Sequence, residues 1–383
     1  MDILEATSSY ELWLARFCEI HDADLTYKHQ QMAAPTDAFP FFRGTYYRWV
    51  QHWSELCADL AAGPRVLAVG DLHIENFGTW RDTDARLVWG VNDFDEADEL
   101  SYTNDLVRLA ASIRFARNDG SLNTKYSAAC RQILDGYRAC LEAGGEPFVL
   151  EERHAQLRAL AVQGDRDPVI FWRKFTKVLN QPEVVPPEAA VAALTHDLPA
   201  KGLTPQYRER SRVGMGSLGK PRYVALVDWD GGWVARETKT VVPPATAWAA
   251  GKTDRSRSRM AEIVKRAVRC PDPFYRAGST WITRRLAPRC SRIELKSLIN
   301  ADDLGCVFQS MGAETANVHL GTPNAAASII KDLDDRPKDW LPKAARTMAK
   351  AIEEDWKTWR RSIRKSAQKP EPVANEAYAS PVR

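Results

Sequence analysis

The chain has 383 residues, 44% of them hydrophobic and 27% charged, with a formal net charge of +3. That length predicts two lobes, and that composition an ordinary globular protein without nucleic acid or membrane as a partner. No run approaches a membrane span, and the N-terminal MDILEATSSYELWLARF carries acids where a signal peptide needs a continuous apolar stretch. Seven cysteines lie scattered without a C-x-x-C pair, so neither a zinc site nor a disulfide framework is expected. Reduced thiols and a cytoplasmic location are the resulting expectation.

In chain order, residues 8–33 read as helix, with Ser8 or Ser9 as cap ahead of Leu12, Leu14, Phe17 and Ile20. Prolines and a glycine break the pattern around Arg43, and a helix from about Tyr46 to Ala61 follows. Val66–Val69 then reads as a short strand delivering Asp71 in GDLHIENFG, with Asn76 five residues on. A second apolar run, Leu87–Val91, delivers Asp93 in VNDFDEA. Two strand ends that bring Asp, Asn and Asp together make an oxygen-lined, negatively charged site suited to a hydrated Mg²⁺. One of the acids can stay off the metal and take a proton from an attacking hydroxyl.

NDLVRLAASIRFAR opens a helix on Asp105, buries Leu106, Leu109, Ile113 and Ala116 along one face, and more helix follows until Gly144-Gly145. Residues 151–204 read as helical pieces broken by prolines, a connector. At 211 the character changes to a glycine-rich turn, a strand through Tyr223–Val227, a DWDGG hairpin and a strand from Trp233. A charged helix over about 256–269 and a strand-like STWITRRLA complete a β-rich lobe over 205–300. The lobe over 1–150 is helical and carries both acidic loops, and helices over 301–365 complete it. The last helix carries Leu341, Met348, Ile352, Trp356, Trp359 and Ile363 on one stripe, ahead of a polar tail over 366–383 expected to be disordered.

Gly214, Gly216 and Gly219 form G-x-G-x-x-G followed by strand, turn and strand, which suits a flap over nucleotide phosphates better than a dinucleotide site. Ser217 lies within it. In a kinase flap the next strand supplies a cation that pairs with a helical glutamate. Arg236 and Lys239 alternate in WVARETK, so one of them points at the nucleotide; Arg236 stands about where the kinase lysine would. Glu262 is the candidate partner, with a solvated helix charge as the equal alternative.

GDLHIENFG with VNDFDEA resembles the catalytic loop and metal-binding aspartate of aminoglycoside-phosphotransferase-like and choline-kinase-like enzymes. FPFFRG (39–44), the DLxRLAxS helix (105–112) and VGMGSLG (213–219) extend the resemblance. Together, across about 25–325, they are similar to a bacterial family known as domain of unknown function twenty-two fifty-two. The resemblance implies an α+β, protein-kinase-like bilobal fold that uses ATP and Mg²⁺ to modify a hydroxyl of a small molecule or protein. Asp71 would be the base, Asn76 and Asp93 the metal ligands, and Asp105 the brace beneath the loop. Gly214, Gly216, Ser217 and Gly219 would cover the phosphates. The family's lysine-glutamate pair reads Arg236-Glu237 in this chain, and arginine is bulkier and does not lose its proton.

The glycine loop follows the catalytic loop by about 140 residues, the reverse of kinase order, so a circular permutation is expected. LGCVFQSMGAETANVHL (304–320) resembles the helix that precedes the catalytic loop in small-molecule kinases; His319 near its end reads as a packing residue. His73 reads as a prop for the loop, and Arg43 as a phosphate contact or a structural arginine. Asp95, Glu96, Asp98 and Glu99 read as a solvated acidic turn, with attraction of a cationic acceptor as the alternative. AMP transfer, a nucleotide-binding module without turnover, and a metal phosphoesterase are the alternatives. The last needs more histidines than the seven present provide.

Overall fold

The computed structural model describes residues 1–118, 124–151, 153–162, 167–199, 202–254, 258–290 and 301–367. It is a mixed α+β protein with several small antiparallel sheets embedded in helices. The chain starts with α1 (Ile3–Leu14), α2 (Asp22–Met32), α3 (Phe39–Gly44), α4 (Tyr46–Leu56) and α5 (Ala58–Ala61). Strands β1 (Arg65–Ala68), β2 (Phe77–Arg81), β3 (Leu87–Val91) and β4 (Asp98–Ser101) follow. Next come α6 (Tyr102–Asn118), α7 (Tyr126–Ala143), β5 (Phe148–Val149), α8 (Ala155–Val162), α9 (Pro168–Phe175) and α10 (Glu188–Thr195). A five-stranded region then holds β6 (Gln206–Glu209), β7 (Arg222–Trp229), β8 (Gly232–Thr240), α11 (Ala245–Ala249), α12 (Met260–Arg266), β9 (Arg276–Ala277) and β10 (Trp281–Leu286). Helices α13 (Ala301–His319), α14 (Ala325–Asp335) and α15 (Trp340–Ala367) close the chain.

The first helix starts earlier than expected, and it stops before 33. Asp2 caps it by accepting from the amides of Leu4 and Glu5, while Glu5 reaches back to the Asp2 amide, so neither Ser8 nor Ser9 is the cap. The break between α1 and α2 carries the chain to the glycine loop, where the His21 amide donates to Gly219 O at 2.9 Å. Of the tail, residues 366 and 367 still belong to α15; the remainder lies outside the described residues, as do 291–300 of the expected β-rich lobe and 256–257 of its charged helix.

β1 pairs with β4, β3 lies between β2 and β5, and the largest sheet runs β6-β7-β8-β10-β9. The β7–β8 hairpin turns on Asp230-Gly231, both at positive φ, the conformation that a tight two-residue hairpin demands. The main core spans the helices and the two small sheets; a second, small cluster of Val224, Leu226, Ala235 and Leu286 lies on the large sheet under Trp172, Phe175, Val178 and Leu179. The α15 stripe faces that main core, with Leu341, Met348 and Ile352 fully buried.

Helices α7 and α13 cross with their backbones almost touching. A Cβ on Gly136 would stand 1.9 Å from Gln309 O, and one on Gly312 would stand 2.0 Å from Ile133 O. These mid-helix glycines therefore set the crossing distance, despite their cost to helix propensity. The crossing anchors α13, whose last residue lies beneath the first acidic loop.

Candidate active site

The chain leaves β1 through Val69 and Gly70 before reaching Asp71. Gly70 sits at φ +81°, and a Cβ there would stand 2.3 Å from Glu96 O, so this turn requires glycine. Asp105, fully buried in the first turn of α6, accepts from the amides of Val69 at 2.7 Å and Gly70 at 2.9 Å. His319 Nε2 lies 3.1 Å from the same carboxylate, and its Nδ1 lies 2.7 Å from the Tyr137 hydroxyl. With both nitrogens engaged and no exposed surface, His319 packs and orients Asp105.

Asp71 is gripped by a residue that sequence reasoning did not single out. Arg108 Nε donates to Asp71 Oδ1 at 2.7 Å, and Nη2 approaches the same oxygen to 2.5 Å. The Arg108 side chain is wholly buried, with its guanidinium carbon 4.0 Å from the Phe42 ring centroid, 4.8 Å from Trp49 and 4.9 Å from Tyr46. Its place one helical turn beyond Asp105 was the available signal: two residues three apart on α6 share a face. Burial pushes Asp71 up to about 6, against the pull of Arg108.

After Asp71 the loop makes a short turn over Ile74–Asn76, which His73 caps through Nδ1 by accepting from the Glu75 amide. Asn76 Oδ1 accepts from the His73 amide at 2.9 Å, and Asn76 O accepts from Asn92 N at 3.0 Å, which ties the two acidic loops together. Arg43 Nη1 pairs with Glu75 Oε2 at 2.5 Å on the rim.

Beyond β3, Asp93 and Asp95 share one lysine. Lys239 Nζ lies 3.1 Å from Asp93 Oδ1 and 2.6 Å from Asp95 Oδ1. Burial works against ionising either acid. At Asp93, Lys239 overcomes it and holds the carboxyl well below the usual range. At Asp95, burial and the charge of Asp93 together keep the carboxyl above that range. Glu96 accepts from the Ala245 amide at 2.6 Å, and burial pushes it up to about 7. Asp95 and Glu96 thus form part of the cleft wall, unlike a solvated turn.

The glycine turn between β6 and β7 stands over these acids. A Cβ on Gly216 would lie 3.8 Å from Asp71 Oδ2, and Gly214, Gly216 and Ser217 all line a cleft of about 340 Å³ that also takes in Asp71, Asn76 and Asp93. Ser217 Oγ accepts from Arg222 at 2.5 Å. Gly219 is placed elsewhere: its position packs on Ile20 and Leu25.

The structure separates Arg236 and Glu262 from the cleft. Ala235, Glu237 and Lys239 share one face of β8, and Arg236 points to the other, donating to Asp197 O at 2.8 Å and stacking on Phe274. Glu262 pairs on its own helix with Arg259 at 2.9 Å and Arg266 at 3.7 Å. Lys239 is the lysine that enters. Beside it, buried Glu237 gathers Arg210, Arg222 at 3.0 Å and Arg284 at 2.7 Å, and these cations overcome burial to hold it well below the usual range. The cleft therefore has an acidic floor and a cationic roof that meet at Lys239.

Among the described residues, no helix is long and apolar enough to cross a membrane. No curated protein and no solved structure matches the chain. A family model matches residues 21–175 and 207–362, a span that includes both acidic loops, α6, the glycine turn and Lys239. The chain therefore belongs to the family described as "Uncharacterized protein conserved in bacteria (DUF2252)".

Proposed function

We propose that this protein is an ATP- and Mg-dependent phosphotransferase with a circularly permuted, protein-kinase-like bilobal fold, acting on a hydroxyl of a small molecule or protein. The observation that carries the reading is Lys239. It stands on the third strand of a sheet whose first two strands are joined by the glycine turn, and it spans to Asp93 on the facing loop. A glycine-rich loop with a lysine on the third strand is the way protein kinases hold nucleotide phosphates. Permutation is supported at α13: Leu67 N on β1 donates to Thr322 Oγ1 at 2.7 Å, three residues past the end of that helix. A chain passing directly from there into β1 would restore kinase order.

Among the described residues, no three of His, Cys, Asp and Glu are grouped to hold a metal by themselves. Asn76 and Asp93 in one cleft instead suit a Mg²⁺ that keeps its other positions for water and phosphate oxygens. Once bound, the ion would neutralise charge on the β- and γ-oxygens. Lys239 and the glycine turn, whose Ser217 amide is already bonded to Gly214 O, bind and orient the phosphates. Arg108 fixes Asp71 through Oδ1, leaving Oδ2, on the glycine-turn side, to orient the incoming hydroxyl and take its proton.

The test is a thermal-shift titration with ATP, with and without Mg²⁺, on the wild-type chain and Asp93→Asn. A Mg-dependent rise in Tm that Asp93→Asn loses supports the reading; no shift with any nucleotide at millimolar concentration overturns it. A second reading, a nucleotide-binding module without turnover, is favoured by the direct Arg108–Asp71 ion pair, which weakens Asp71 as a base. Binding without phosphate transfer to any acceptor would select it.

A further inference from the structure

On the reverse face of the large sheet, β8 and β10 set Arg236 directly opposite Arg285. Like charges in that register repel. Arg236 is only 4% exposed, and both guanidinium carbons lie 4.4 Å from the centroid of the Phe274 ring. Their hydrogen bonds go to neutral carbonyls: Arg236 to Ala235 O and Asp197 O, Arg285 to Arg81 O. The Nε of each is buried without an acceptor.

The neighbouring carboxylates are committed elsewhere. Asp197 pairs with Arg276 and with His196, and Asp272 accepts from the Phe274 amide. Neither makes an ion pair with Arg236 or Arg285 among the described residues. Burial and the facing Arg285 push Arg236 down to about 10. Asp197 and Asp272 act on this charge from nearby, but among the described residues no carboxylate bonds directly to either guanidinium, in a place where buried charges are ordinarily paired.

A cavity of about 280 Å³ adjoins both arginines. Its remaining walls are mostly apolar, with Trp172, Trp229, Trp233 and Leu286 among them; Asp197, paired with Arg276, also lines it, and among the described residues Leu286 is the one shared with the cleft. This volume is near the lower end for small-molecule sites and far beyond what a bare inorganic ion fills. Guanidinium groups match the planar geometry of a carboxylate, and indole rings supply flat apolar walls. We propose that this cavity is a second ligand site, separate from the cleft, which takes an organic carboxylate with an aromatic or aliphatic body, its charge held by Arg236 and Arg285.

The test is calorimetry on the full chain at low salt with naphthalene-2-carboxylate, the neutral naphthalene-2-carboxamide and inorganic phosphate. The carboxylate is expected to bind, the carboxamide at least tenfold more weakly, and phosphate not measurably. Arg285→Gln should abolish the preference for carboxylate over carboxamide. Its apo Tm should not fall, because the change removes one of two opposed like charges. Trp233→Ala supplies a second variant, expected to weaken both naphthalene compounds together. Absence of binding, equal affinity for carboxylate and carboxamide, phosphate bound as tightly as the carboxylate, or a preference surviving in Arg285→Gln would each overturn the assignment. So would unchanged affinities in Trp233→Ala.

Discussion

Replacing Arg108 by methionine removes the cation beneath Asp71 while keeping a long apolar side chain between Phe42, Tyr46 and Trp49. In the wild type, Asp71 has moved from an ordinary 3.8 to about 6, so its carboxyl is most compatible with the fold when neutral. A folded pKa raised above the unfolded value means that this contribution is fully present below about 3.8 and is lost as pH rises through about 6. The displacement corresponds to about 3 kcal/mol between those limits. Without Arg108 the folded pKa climbs further and the loss continues past pH 7. Removing one partner of a buried pair costs about 3–5 kcal/mol, and here most of that cost should appear only where Asp71 must ionise. Urea unfolding of wild type, Arg108→Met and Arg108→Met/Asp71→Asn at pH 5 and pH 8 reads this directly. The single variant should lose more stability at pH 8 than at pH 5, and the double variant should recover much of the pH 8 loss. A loss equal at both pH values and untouched by Asp71→Asn would refute the electrostatic account and leave Arg108 as a packing residue.

Other expectations follow from the same geometry. Lys239→Gln should weaken Mg-nucleotide binding at least tenfold, whereas Arg236→Gln, on the opposite sheet face, should leave it within about twofold for folded protein; calorimetry separates the two, because a hydrogen bond to a charged group is worth about 1.5–3 kcal/mol. Gly312→Val should cost about 3 kcal/mol in urea unfolding, the upper end of the usual overpacking range, since a Cβ there collides with the Ile133 carbonyl, a backbone atom that cannot rotate away. Glu262→Gln, on an exposed stretch of α12, should change stability by less than about 0.5 kcal/mol and leave nucleotide affinity unchanged.

Much of the cleft was legible because each feature lies in a short segment. Apolar runs at 66–69 and 87–91 end on acids, and a glycine-rich stretch precedes a hairpin, so local pattern alone located Asp71, Asn76, Asp93, Gly214 and Gly216. Asp105 was legible as a helix start, and its two bonds to the loop backbone follow from that position. What was misread depends on face and register. A strand's side chains alternate, so Arg236 and Lys239 differ only in which face β8 turns to the acids, and pairing across the sheet decides that. Glu262 follows the strand in sequence as a kinase glutamate does, but its helix keeps the acid among neighbouring arginines. Arg108 was hidden for a related reason: its partners Asp71 and Phe42 lie 37 and 66 residues away. At the first helix, Ser8 and Ser9 have the residue type of a cap, while the reciprocal bonds of Asp2 and Glu5 start the helix earlier.

Water-proton relaxation with Mn²⁺ in place of Mg²⁺ tests the proposed function most directly, because it reports a metal held jointly by nucleotide and protein. Wild-type protein should form a ternary complex with Mn²⁺ and ATP that is weakened at least tenfold in Asp93→Asn and in Asn76→Ala. A complex of equal strength in wild type and both variants, or no ternary complex at millimolar ATP, would contradict the assignment of this cleft to Mg-nucleotide chemistry.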